Sequence, residues 1–171
     1  MKFVPAFAAS ASLAAALLAP APAQAAGATP AAKAHVAVLH PLSLVRKGDL
    51  DFGTIAVAGA GTVVIEPNAN AMTASGGVTP LGGSPTGATF IGAAGSASVV
   101  VIRIPKQPIV ITRAGGTETM SVRDFTLQGQ DKRTLAKQES FEFRVGATLN
   151  VPANQLEGTY AGSFDVTVHY P

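Results

Sequence analysis

The chain has 171 residues, a formal charge of +2, no cysteine and no tryptophan. The absent thiols exclude disulfides, a lipid-modified cysteine anchor, thiolate metal sites and a cysteine nucleophile. Its basic residues are scattered rather than set in a stripe between aromatics, which argues against nucleic acid as a partner.

The N-terminus reads as a targeting segment. Lys2 provides a short positive region, Phe3 to Leu18 are almost all apolar, and Pro20 and Pro22 break the run. Ala23-Gln24-Ala25 has the small-x-small form of a secretory cleavage site. A bilayer span asks for about 20 unbroken apolar residues, so the prolines favour a cleaved leader over an anchor. The expectation is a signal peptide over residues 1–25, a flexible leader over 26–35, and one domain over 36–171. That predicts export to the periplasm, the cell surface or beyond, with no transmembrane segment in the mature chain. A domain of this size buries about two-thirds of its unfolded surface, enough to fold without cross-links.

Beyond the leader, short runs of β-formers recur, each closed by Gly, Pro or Asn. Val36 to Val45 is the first, interrupted by Pro41; Leu50 to Phe52 is the second, ended by Gly53. Thr62 to Glu66 stops at Pro67-Asn68, and Thr89 to Ile91 is brief. Val99 to Ile104 is continuously apolar, the pattern of a strand buried on both faces. Ile109–Thr112 and Thr119–Val122 flank Ala114-Gly115-Gly116-Thr117, where the Gly pair suits a tight hairpin. Phe141, Phe143 and Val145 share one face, and the parity runs on through Ala147, Leu149 and Val151 to a turn at Pro152-Ala-Asn154. Asn68–Gly87 and Leu127–Gln138 read as loops, with Asp131 to Glu139 a short helix or an exposed loop. Eighteen glycines, twelve prolines and no sustained helical period point to an all-β sandwich or barrel, of which an antiparallel β-sandwich is the expected form. The expected core is Phe52, Val63, Ile65, Val100, Ile102, Phe141, Phe143, Val145, Leu149, Tyr160, Phe164, Val166, Val168 and Tyr170.

The last stretch, GTYAGSFDVTVHYP, alternates cleanly. Phe164, Val166, Val168 and Tyr170 share one face; Ser163, Asp165, Thr167 and His169 share the other. Full burial of the inward four is worth about 6–12 kcal/mol as an upper bound, comparable to the stability of a whole domain. The terminus is therefore expected to be a core strand. This stretch resembles the C-terminal zipper of chaperone–usher pilus subunits, with Gly158 fourteenth from the end and Tyr170 penultimate. The resemblance implies that Gly158, Tyr160, Phe164, Val166, Val168 and Tyr170 form a partner-pairing strand.

Over most of the mature chain the sequence resembles the bacterial domain-of-unknown-function 4402 family. The residues that carry the likeness are Asp49-Leu-Asp-Phe-Gly53-Thr, Gly61-Thr-Val-Val-Ile-Glu-Pro67, Gly76-Gly-Val78, Ile104-Pro105, Val145-Gly146-Ala-Thr-Leu149 and Gly158-Thr-Tyr-Ala-Gly162. That resemblance implies a small exported protein with an immunoglobulin-like, fimbria-like sandwich. The cysteine pair common among pilins is absent, which weakens a direct transfer of pilus assembly.

Residues with chemical potential have plainer explanations. His35 and His40 have opposite strand parity, and His169 lies on the wet face, so no metal site is expected. Asp49-x-Asp51 offers two carboxylates, too few to specify calcium, and suits a capped turn before Phe52 better. There is no nucleophile elbow and no phosphate cradle, so no catalytic residue and no cofactor is expected. Val36, Val38, Leu42 and Leu44 form an alternating segment that serves either as a donor strand for a neighbouring subunit, as in pilins, or as this domain's own first strand. The own-strand reading is favoured, because Pro41 interrupts pairing and little chain precedes it. The functional expectation is a non-enzymatic structural or adhesive surface protein, a fimbria-like subunit whose edge strands pair with a periplasmic chaperone and like subunits. The rival is a self-contained secreted module that recognises a ligand through loops 68–87 and 127–138.

Overall fold

A computed structural model describes Val36, Val38 and residues 41–69, 71–95, 98–136 and 140–171. The chain divides into residues 1–37, of which only Val36 is described, and Val38–Pro171, which holds the described strands. The expected signal peptide and leader, His35 and His40 lie outside the described residues.

Eleven strands are described: β1 (Ser43–Gly48), β2 (Thr54–Ile65), β3 (Met72–Gly82), β4 (Ala88–Ala93), β5 (Val99–Arg103), β6 (Ile109–Arg113), β7 (Thr119–Leu127), β8 (Lys132–Thr134), β9 (Ser140–Val151), β10 (Tyr160–Ala161) and β11 (Thr167–His169). Every pairing between them is antiparallel. The larger sheet follows β1-β4-β9-β7-β6-β10, with β2 joined to β9 and β3 to β2; the smaller is β11-β5-β8. The fold is all-β and antiparallel.

β9 organises the larger sheet. Its first half, Ser140 to Val145, pairs β4, and its second half, Ala147 to Val151, pairs β2. Its other edge pairs β7. Phe141, Phe143, Val145, Ala147, Leu149 and Val151 are all buried, so one continuous parity feeds the core on both sides of the hand-over. The first half builds a cluster with Phe90 of β4 and with Val100 and Ile102 of β5, which lies between the two sheets. Phe90 and Phe141 both stack on Phe143, with ring centroids 5.3 and 6.2 Å away. The second half builds a separate cluster with Val63, Val78, Met120 and Val122. Phe125 touches both clusters, admitted by a bulge at Asp124, whose φ is 51°.

Four expectations need correction. Residues 72–82 are not loop: β3 pairs along β2 from Thr54 to Ile65, with a register shift between Val57 and Gly61 that absorbs its Gly76-Gly77. Small residues hid a strand whose partner supplies the apolar mass, and the Thr62 and Ser75 hydroxyls bond across it at 2.7 Å. Asp131–Glu139 is neither helix nor plain loop where it is described, because Lys132–Thr134 pairs with Val99–Val101. Arg133 fixes it by donating to the carbonyls of Gln128, Gln130 and Glu142, with its guanidinium 5.6 Å from the Phe143 ring centre. That partial burial pushes the Arg133 pKa down from its ordinary value. β5 is not closed on both faces: Val100 and Ile102 are buried while Val99 and Val101 are half-buried, because its sheet meets the core with one face. The fourth concerns the terminal stretch.

Candidate functional site

Residues 158–170 do not form one strand. Tyr160-Ala161 pairs with Thr112-Arg113 in the larger sheet, whereas Thr167–His169 pairs with Val101–Arg103 in the smaller. The chain changes sheets between them. Gly162 makes the start of that passage possible, since a β-carbon there would sit 2.8 Å from the Val110 carbonyl oxygen. Alternation survives the crossing: Phe164, Val166, Val168 and Tyr170 are half-buried and the residues between them exposed. All four pack on the cluster between the sheets. Phe164 also meets Phe125 at 5.1 Å between ring centres, and the Tyr170 hydroxyl accepts from the Gly95 amide at 3.3 Å.

The upstream half is held by a different set of contacts. The Tyr160 hydroxyl donates to the Leu156 carbonyl at 2.6 Å and accepts from Gln155 Nε2 at 2.7 Å. Gly158, at φ 149°, lets the chain lie against the Arg113 side chain. Arg113 in turn bonds Glu118 across the β6–β7 hairpin at 2.6 Å. The bond raises the Arg113 pKa and holds the Glu118 carboxyl below its ordinary value. A lowered carboxyl pKa contributes stability that is present above the ordinary carboxylate range and is lost as pH falls through the lowered value. Glu118→Gln is therefore expected to lower the denaturant midpoint at neutral pH. The gap to the parent protein should close in acid, as paired urea titrations across pH will show.

Of the other flagged residues, Leu42 and Leu44 pack on the cluster between the sheets, and β1 pairs β4 of the same chain. Val36 and Val38 are each 87% exposed. Asp51 accepts from the Gly53 amide at 2.8 Å, the capped turn, and Asp49 pairs with Arg46. His169 is exposed. Among the described residues no group of three or more His, Cys, Asp or Glu gathers as metal ligands, and no helix is long and apolar enough to cross a membrane.

A groove of about 1190 Å³ beside the terminal segment has no signature in the sequence. Leu149, Met120, Val122, Ile109 and Ile111 face it, β2 from Thr54 to Val57 forms one wall, and residues 155–164 form the other. It is larger than the roughly 300–1,000 Å³ of small-molecule pockets.

The two-sheet antiparallel fold, with its split terminal strand and flanking groove, defines an all-β protein whose prominent features are strand edges. The family described as Domain of unknown function (DUF4402) matches residues 42–170, and the chain belongs to it. No curated protein and no solved structure matches the chain.

Proposed function

We propose that the protein is a non-enzymatic, exported structural or adhesive surface component, a fimbria-like subunit of immunoglobulin-like build. It pairs through its sheet edges with like subunits, and with a periplasmic chaperone before assembly. β3 carries this reading. It spans eleven residues, and among the described residues β2 is its one strand partner, which leaves its other edge without a described neighbour. Natural sheets guard such edges with charged side chains, proline, bulges or very short strands, and of these β3 has Pro80 and the register shift at Gly76-Gly77. β3 contains no charged residue, and none occurs anywhere from Pro67 to Ile102. A long edge without charge is a liability in a lone monomer and an asset in a subunit. The rival ligand-binding reading rests on loops 68–87 and 127–138, through which β3 and β8 run.

The test places charges on exposed positions of that edge strand, Thr73→Lys with Thr79→Lys. Light scattering of the parent protein is expected to show concentration-dependent oligomers, which the lysine pair disperses without lowering the melting temperature. A parent chain that stays monomeric at every concentration contradicts the proposal.

A further inference from the structure

Five strands have a single partner among the described residues: β1, β3, β8, β10 and β11. They differ in what they offer a second chain. β8, β10 and β11 run for three, two and three residues, and β1 carries Arg46 and Lys47. β3 is the longest of the five, at eleven residues, and is free of charge. Like charges set directly opposite each other destabilise a strand pair, so an uncharged strand meets a copy of itself without that cost. Length points the same way. The other four edges are at most six residues long and would leave much of β3 uncovered.

The side chains of β3 then select a register. Met72, Ala74, Val78 and Pro80 pair with Ile65, Val63, Val57 and Ile55 of β2, and the first three belong to the apolar cluster on the inner face. Thr73, Ser75 and Thr79 alternate with them on the outer face and are exposed. Opposed residues of an antiparallel pair share a face, so a slip of one residue sets the apolar row of one copy against the polar row of the other. A two-fold axis through Gly76 keeps the faces matched. It sets Thr73 against Thr79, Ala74 against Val78 and Met72 against Pro80 of the second copy. Thr–Thr pairs across strands are stabilising. An axis one residue to either side sets Thr73 against Gly77 or Leu81 instead, and the second of these puts Pro80 inside the ladder. With the axis at Gly76, Pro80 falls just beyond the ladder, which runs from Thr73 to Thr79 in each copy and needs no amide hydrogen from the proline. Gly76 brings no side chain to the axis, and its φ of 72° turns both copies alike.

We infer that β3 pairs antiparallel with β3 of a second copy about a two-fold axis at Gly76, joining two larger sheets into one. This rests on the edge-pairing reading above and names the partner strand, its direction and its register. The same patch serves on both sides, so the contact closes at two copies. It yields a dimer, and larger assemblies draw on other edges.

Charge reversal and the absence of natural cysteine test the register. Thr73→Lys with Thr79→Glu in one full-length chain sets Lys against Glu twice across the axis. Sedimentation is expected to show this variant dimerising at least as firmly as the parent. Thr73→Lys with Thr79→Lys sets like charges opposite twice and should sediment as a monomer. Thr73→Cys and Thr79→Cys proteins are also made separately, mixed and mildly oxidised. Directly opposed β-carbons lie about 4.5–5.5 Å apart, so a disulfide dimer is expected from the mixture. Neither variant alone should give one, because the two copies of residue 73 stand six positions apart, about 20 Å at ~3.3 Å per residue. A Lys/Glu chain dispersed as the Lys/Lys chain is overturns the inference, as does a mixture without disulfide or a disulfide from one variant alone. If the parent still forms oligomers that the lysine pair disperses, edge pairing stands and only the β3-to-β3 assignment falls. A parent that is monomeric at every concentration takes both down.

Discussion

Deleting Phe164 to Pro171 is expected to turn a soluble, cooperatively melting protein into an insoluble or protease-labile one. The segment supplies β11, which pairs β5 through Thr167, Val168 and His169. Its four inward side chains pack on the cluster between the sheets, each half-buried. Half of the full transfer value for four large apolar residues is about 3–6 kcal/mol. That is smaller than the upper bound set by complete burial, but it still rivals the 5–15 kcal/mol stability of an ordinary domain. The deletion also exposes the β5 edge and removes the ring that Phe125 meets. Limited proteolysis and a thermal melt check the outcome. A truncated chain that is soluble and melts in one sharp transition would refute the view that the terminus belongs to the core.

How much of this was legible varies by element, for physical reasons. The β9 row could be read because parity is local: a two-residue period in Phe141–Val151 states which face is wet wherever the strand sits. The tail was equally readable in parity, as Phe164 to Tyr170 shows, but not in partnership. Nothing local says that Tyr160 will pair with Arg113 in one sheet and Val168 with Ile102 in the other. β3 was missed because its residues are small and its apolar mass belongs to β2. The groove was illegible for a deeper reason. It exists because two segments distant in sequence, Thr54–Val57 and Gly158–Phe164, end up facing each other with no described strand between them. Composition records neither edge.

Gly146 shows the same principle at one residue, and it carries the second large effect. It sits where β9 passes from β4 to β2, between Val145, paired with Ala88, and Ala147, paired with Ile65. At that hand-over the backbone of β2 crosses close. A β-carbon on residue 146 would overlap the carbonyl oxygen of Ile65 and stand 2.8 Å from the Pro67 nitrogen and 2.9 Å from its δ-carbon. These atoms cannot swing aside as a flexible side chain would. Two are main chain, and the third belongs to a closed ring. Gly146→Ala must therefore push β2 off β9, loosening the pairs from Gly61 to Ile65 and the fully buried Val63 and Ile65 with them. The expected cost is about 3 kcal/mol or more, at or beyond the upper end for overpacking. Ala is the mildest replacement available, so larger residues should fail to fold. Chemical denaturation of Gly146→Ala beside Gly129→Ala separates the close-approach effect from a generic glycine penalty. Gly129 has positive φ, but only the far end of the Arg133 side chain lies near it, at 3.5 Å. Equal losses for the two variants would show that β9 has room at its hand-over, and that the two core clusters are not locked together through this residue.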